Sequence, residues 1–183
     1  MVDPRLRRLV LVTHVVTSVG WLGAVAVFLA LAVLGLTSAD PSTVRGAYLV
    51  MRPTGTFVLV PLAVASLATG VLSGIGTNWG LVKHYWVLIK LLITAASTLV
   101  LVLYLRTFQL LAQTAAAPTA DLAAVRNFSP ALHSGLALLA LVVTTVLAVY
   151  KPKGATGLKL RRAGAGRVGA RRCCRGGRRV PWR

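Results

Sequence analysis

Four apolar runs, at about residues 9–36, 56–75, 85–105 and 132–150, leave this chain few folds to choose from. A helix needs about 20 apolar residues, at 1.5 Å rise each, to cross the ~30 Å hydrocarbon core of a bilayer. Water is absent there, so backbone amides must be satisfied within each segment, which a helix achieves. Hydrophobic residues make up 56% of the 183 and charged ones 13%, more apolar surface than a soluble domain of this size can hide. The expected fold is all-α, a four-helix transmembrane bundle over residues 1–156 with a basic tail at 157–183.

Arg5, Arg7 and Arg8 precede the first run as they would precede a signal peptide, but its length marks an uncleaved anchor. Asp40 and Pro41 follow that run. The Gly76-Thr77-Asn78-Trp79-Gly80 segment is turn chemistry, and Ala115 to Arg126 reads as a polar connector. Trp79, Tyr85, Trp86, Tyr104 and Tyr150 fall at expected span ends, as an aromatic belt does, whereas Trp21 lies near mid-span.

Charge sets the expected orientation. Twelve of the 21 Lys and Arg residues lie after Val149, and the first 150 residues hold nine cations against three acids. The N-terminal arginines, Lys83 and the tail fall on one side; Arg45, Arg52, Arg106 and Arg126 fall on the other, beside Asp40 and Asp121. The positive-inside rule then puts both termini in the cytoplasm of a multi-pass cell-membrane protein. The Arg/Gly/Ala tail lacks periodicity and acids, so it is expected to be disordered and drawn to anionic lipid headgroups, without specific nucleic-acid recognition. Cys173 and Cys174 are adjacent, with α-carbons about 3.8 Å apart, too close for the usual disulfide.

Each span carries one narrow stripe of small or polar residues at helical spacing. These are His14, Thr17, Ser18 and Trp21; Ser66, Thr69, Gly70, Ser73 and Gly74; Trp86, Lys90, Thr94, Ser97 and Thr98; and His133, Ala137, Ala140, Thr144 and Ala148. Small residues allow close backbone approach and hydroxyls bond across helices, so the stripes should converge on one interior. Gly70 and Gly74 form a GxxxG, which offers a packing face for a second copy or another membrane protein.

Lys90 is the one formally charged residue inside a span, about five residues or ~7.5 Å from Tyr85, and no span offers it a carboxylate. It either snorkels to headgroups or meets an anionic ligand or lipid phosphate. His14 lies at the same depth, ~7.5 Å from its own boundary, and is a candidate neighbour. His14 and His84 are candidate haem ligands, although about five residues of depth divide them. His14 and His133 are about 20 Å apart along the ~30 Å core, too far to share an iron. No metal-ligand spacing and no catalytic constellation is present.

The segments 13–23 (THVVTSVGWLG), 79–86 (WGLVKHYW) and 149–152 (VYKP) resemble a family of small four-span membrane proteins of high-GC Gram-positive bacteria. That resemblance covers about residues 9–153 and implies the four-span fold, without an activity or a catalytic residue to carry over. The tail beyond Gly157 does not resemble the family. A histidine near the start of a span is loosely similar to copper-resistance membrane proteins, whose paired-histidine and methionine pattern this chain lacks.

The sequence therefore points to a non-enzymatic integral membrane component or subunit of the lipid bilayer. Two alternatives stand beside it: a small haem- or metal-binding redox protein using His14 and His84, and a transporter or channel with a path lined by His14 and Lys90. Reporter fusions at the two ends should both give cytoplasmic signals; opposite signals would break the four-span reading.

Overall fold

The computed structural model describes residues 3–75, 85–117 and 121–150. Trp79, Lys83, His84, the 76–80 turn, both cysteines and the tail lie outside the described residues. Among the described residues there are helices and short connections, with no strand. In chain order they are α1 (Pro4–Thr37), α2 (Pro41–Thr54), a π-helical turn (Gly55–Leu59), α3 (Val60–Ile75), α4 (Tyr85–Ala116), α5 (Leu122–Val125) and α6 (Ser129–Tyr150). Four rods, Pro4–Thr37, Pro41–Ile75, Tyr85–Ala116 and Ser129–Tyr150, are long and apolar enough to cross a membrane. They run up and down, so one face of the bundle carries the α1–α2 and α4–α6 connections; we term it the loop face, and the opposite one the terminal face.

All three acids of the chain serve helix starts. Asp3 precedes Pro4 and accepts from the Arg5 amide at 2.9 Å. Asp40 precedes Pro41 and accepts from the amides of Ser42 (3.3 Å) and Thr43 (2.9 Å). The hydroxyls of Ser42 and Thr43 also donate to it, each at 2.6 Å, and hold this carboxyl well below the usual carboxylate range. Asp121 precedes α5, and its carbonyl accepts from the Val125 amide at 3.3 Å. A carboxylate at a helix N-terminus satisfies orphan amides, and proline at the first position sacrifices no hydrogen bond.

The second rod starts 15 residues earlier than the apolar run, at Pro41 rather than Thr56. Its extra piece, α2, buries Val44, Ala47, Tyr48 and Met51 while Arg52 stays exposed, so no hydropathy window registers it. Pro53 removes one backbone donor. Two residues later the ladder widens to a π turn, in which the Val60 amide donates to the Gly55 carbonyl. Gly55 is required there, because a Cβ would stand 2.9 Å from Phe108 Cδ2. The Phe108 ring is held between two others, its centroid 4.9 Å from that of Phe28 and 5.0 Å from that of Tyr104.

Three of the rods have 34, 35 and 32 residues, about 48–53 Å of helix, whereas α6 has 22 and spans about 33 Å. The surplus builds a packed cap at the loop face. Tyr48 is fully buried at its centre; its hydroxyl donates to the Asn127 carbonyl (3.1 Å) and accepts from the Asn127 amide (2.8 Å). Arg45 reaches from α2 to the end of α4 and donates to the carbonyls of Ala115 (3.0 Å) and Ala117 (2.7 Å). Arg126 donates to the Ser38 carbonyl at the end of α1, at 2.7 Å. These contacts satisfy carbonyls that a helix C-terminus leaves open. Below the cap the outward residues are apolar and exposed, such as Val16, Leu103 and Val149, as lipid contact requires. Tyr48→Phe removes both hydrogen bonds and strands the Asn127 amide; it should cost about 1–3 kcal/mol in denaturant unfolding in micelles, and an unchanged midpoint would refute the role given to this hydroxyl.

Candidate functional site

The four stripes do turn toward one another, and between them lie two cavities at different depths. The one nearer the terminal face, about 80 Å³, is lined by His14 of α1, Ser66 and Gly70 of α3, and Trp86, Lys90 and Thr94 of α4. His14 and Lys90, placed at equal depth by residue counting, thus share one cavity. Lys90 Nζ lies 5.8 Å from the centroid of the Trp86 ring, a cation–π contact. Trp86 is just over one turn closer to the start of α4, so the ammonium leans toward the terminal face. No hydrogen-bond acceptor meets it among the described residues.

The tautomer of His14 follows from its partners. Nδ1 lies 3.1 Å from the Ser66 carbonyl and 3.1 Å from Thr69 Oγ1. A carbonyl only accepts, and the Thr69 hydroxyl already donates to the Ala65 carbonyl at 2.6 Å. Nδ1 therefore carries the proton, and Nε2 is left as the ring's second functional atom. Gly70 makes this pose possible, since a Cβ there would lie 3.1 Å from His14 Cε1. Half of the GxxxG is thus spent on a contact within the chain. One turn along α1, the Ser18 and Ser66 hydroxyls are 2.8 Å apart and tie α1 to α3.

The second cavity, about 430 Å³, lies toward the loop face. Its floor is Trp21, Val25 and Phe28 of α1, all at most 4% exposed. Its walls are α4, with Ser97, Tyr104 and Phe108, and α6, with His133, Ser134 and Ala137; Leu59 of the π turn closes one end. His133 stacks on Tyr104 with centroids 4.4 Å apart and planes 29° apart. Its Nδ1 donates to the Ser129 carbonyl at 2.8 Å, and the Tyr104 hydroxyl donates to Ser129 Oγ.

Other stripe residues are structural. The hydroxyls of Thr17, Thr94, Thr98 and Thr144 bond back to carbonyls of their own helices at 2.8 Å. Ser73 Oγ is buried without a partner among the described residues. Of the candidate haem pair, His14 lines the smaller cavity and His84 lies outside the described residues; His133 lines the larger cavity. Among the described residues no three His, Cys, Asp or Glu side chains gather around a common point.

Residue counting missed the Tyr104–Ser129–His133 cluster. The signal was present: Tyr104 continues the stripe seven residues beyond Ser97, and Ser129 stands four before His133. Tyr104 was instead assigned to the aromatic belt. Compared with known proteins, the chain matches no family model, no curated protein and no solved structure.

Gly70→Val would drive a branched side chain into the His14 ring. It should cost about 1–3 kcal/mol and shift the His14 ring ¹⁵N resonances; unaltered resonances would remove the contact from consideration.

Proposed function

We propose that this chain is a non-enzymatic membrane protein, both ends cytoplasmic, that holds an anionic group against Lys90 at the terminal face. The observation that carries the reading is a lysine within an apolar helix whose described neighbours offer a ring face and a histidine but no carboxylate. A charge in that position is expensive unless something compensates it. Asp3 and Asp40 cap helix starts and Asp121 lies at the loop face before α5, so none of the three acids meets Lys90, and compensation from outside the chain is what the site asks for.

The cavity suits one phosphate or carboxylate. Lys90 supplies three donors and the charge; His14, neutral with its proton held on Nδ1 by the Ser66 carbonyl, presents only an acceptor at Nε2 and leaves the anion to Lys90. The lean of the ammonium toward Trp86 places it near headgroup depth, where lipid phosphates reside. We read this as recognition rather than turnover, because among the described residues nothing beside Lys90 and His14 supplies a nucleophile with its own general base. The basic tail adds attraction for an anionic leaflet.

The test is retention of anionic lipid. Purified protein in nanodiscs of mixed phosphatidylglycerol and phosphatidylcholine should enrich the former around itself, with excess inorganic phosphate distinguishing a soluble anion from a headgroup. Lys90→Gln should weaken the enrichment about tenfold or more, the loss of a charge-assisted contact of ~1.5–3 kcal/mol. Equal enrichment by wild type and variant would overturn the proposal.

A further inference from the structure

The larger cavity differs in chemistry from the Lys90 site. No residue on its lining carries a formal charge, so a charged headgroup would find no counter-ion there. Its volume of about 430 Å³ lies within the ~300–1,000 Å³ usual for small-molecule pockets. A void of that size between packed helices forfeits dispersion contacts on every wall, and an apolar one does not hold water. The lining includes Val100, 48% exposed, and Leu136, 58% exposed, on facing helices α4 and α6. The gap between those helices therefore opens sideways toward lipid, which makes it a fissure rather than a sealed hole.

Two polar atoms in the fissure lack partners. The first is His133 Nε2. Because the Ser129 carbonyl only accepts, His133 Nδ1 must donate to it at 2.8 Å, which leaves Nε2 as an acceptor turned away from its own helix. The second is the Ser97 hydroxyl. Thr94, Thr98 and Thr114 on the same helix each bond back one turn, whereas Ser97 makes no hydrogen bond with any described residue. The hydroxyls of Tyr104 and Ser134 on the same lining are already donating. The fissure thus presents one acceptor on α6, beside Tyr104, and one hydroxyl on α4 about two turns farther from the loop face, within an apolar sleeve.

We propose that the fissure between α4 and α6 is a binding site for a neutral membrane lipid carrying a free hydroxyl, entering sideways from the bilayer. The hydroxyl donates to His133 Nε2, and the hydrocarbon lies over Trp21, Val25 and Phe28. A phospholipid chain would fill the sleeve equally well but would leave Nε2 unpaired, which in a medium without water sets the preference. The site stands independently of Lys90, in the other half of the bundle and with different polar groups.

The full-length protein in nanodiscs, labelled with a diazirine-bearing diacylglycerol or with phosphatidylcholine bearing the same diazirine chain, tests this. Diacylglycerol should label α4 and α6 peptides about tenfold more at equal mole fraction, the worth of a buried hydrogen-bonded head. Ala137→Phe fills the sleeve and should abolish labelling by both probes. His133→Phe, which keeps an aromatic ring against Tyr104, should reduce the diacylglycerol preference several-fold, with thermal unfolding monitored throughout. Equal labelling by the two probes identifies bulk acyl chains as the occupant and overturns the proposal. So does labelling indifferent to Ala137→Phe, or a preference unchanged in folded His133→Phe.

Discussion

Hydrocarbon forms no hydrogen bonds, and that one deficiency organises the polar interior of this protein. Each hydroxyl or imidazole within a span must find its partner in the chain or go without. Most threonines take the nearest solution, a carbonyl one turn back. Ser18 with Ser66, and His14 with Ser66 and Thr69, take the cross-helix solution and thereby set how α1 lies on α3. Once these pairings are complete, Lys90 Nζ, Ser97 Oγ and His133 Nε2 remain without hydrogen-bond partners among the described residues, beside the cavities. The candidate chemistry of the molecule consists of these exceptions.

A second solvent governs the loop face. Three rods overrun the membrane thickness, and their ends, with α2 and α5, bury Val44, Tyr48, Met51 and Val125 as a water-soluble domain would. There hydrophobic burial contributes directly, about 1.5–3 kcal/mol for each large side chain, whereas between helices in lipid it contributes little. Arg45 and Arg126 belong to this cap, each donating to the carbonyl end of a neighbouring rod. Two of the four cations opposite the terminal face therefore have a structural use, which is why that side is not depleted further.

The spans and stripes were legible because both express a periodicity of the chain itself. Four runs gave four rods, and the stripe residues do line the space between them. The shared depth of His14 and Lys90 followed from counting residues from each boundary. What escaped was set by geometry of other kinds. Hydropathy does not register α2, which faces lipid and water with Arg52 and the core with Tyr48. The Tyr104–Ser129–His133 cluster depends on the angle at which α6 meets α4, a property of no single segment. Nor did the run of Leu, Val and Ala between stripes announce a void between α4 and α6.

The widened turn at Gly55–Leu59 works as a phase shifter. One additional residue in a helix advances every later side chain by roughly 100° around the axis. The rod that it interrupts packs on α1 along both stretches: before the turn Tyr48 lies against Gly35, and after it Ser66 and Thr69 meet His14. A single helix thus meets α1 in two settings, one within the cap and one among the spans. The widened turn lies between them, where a glycine already yields space to Phe108.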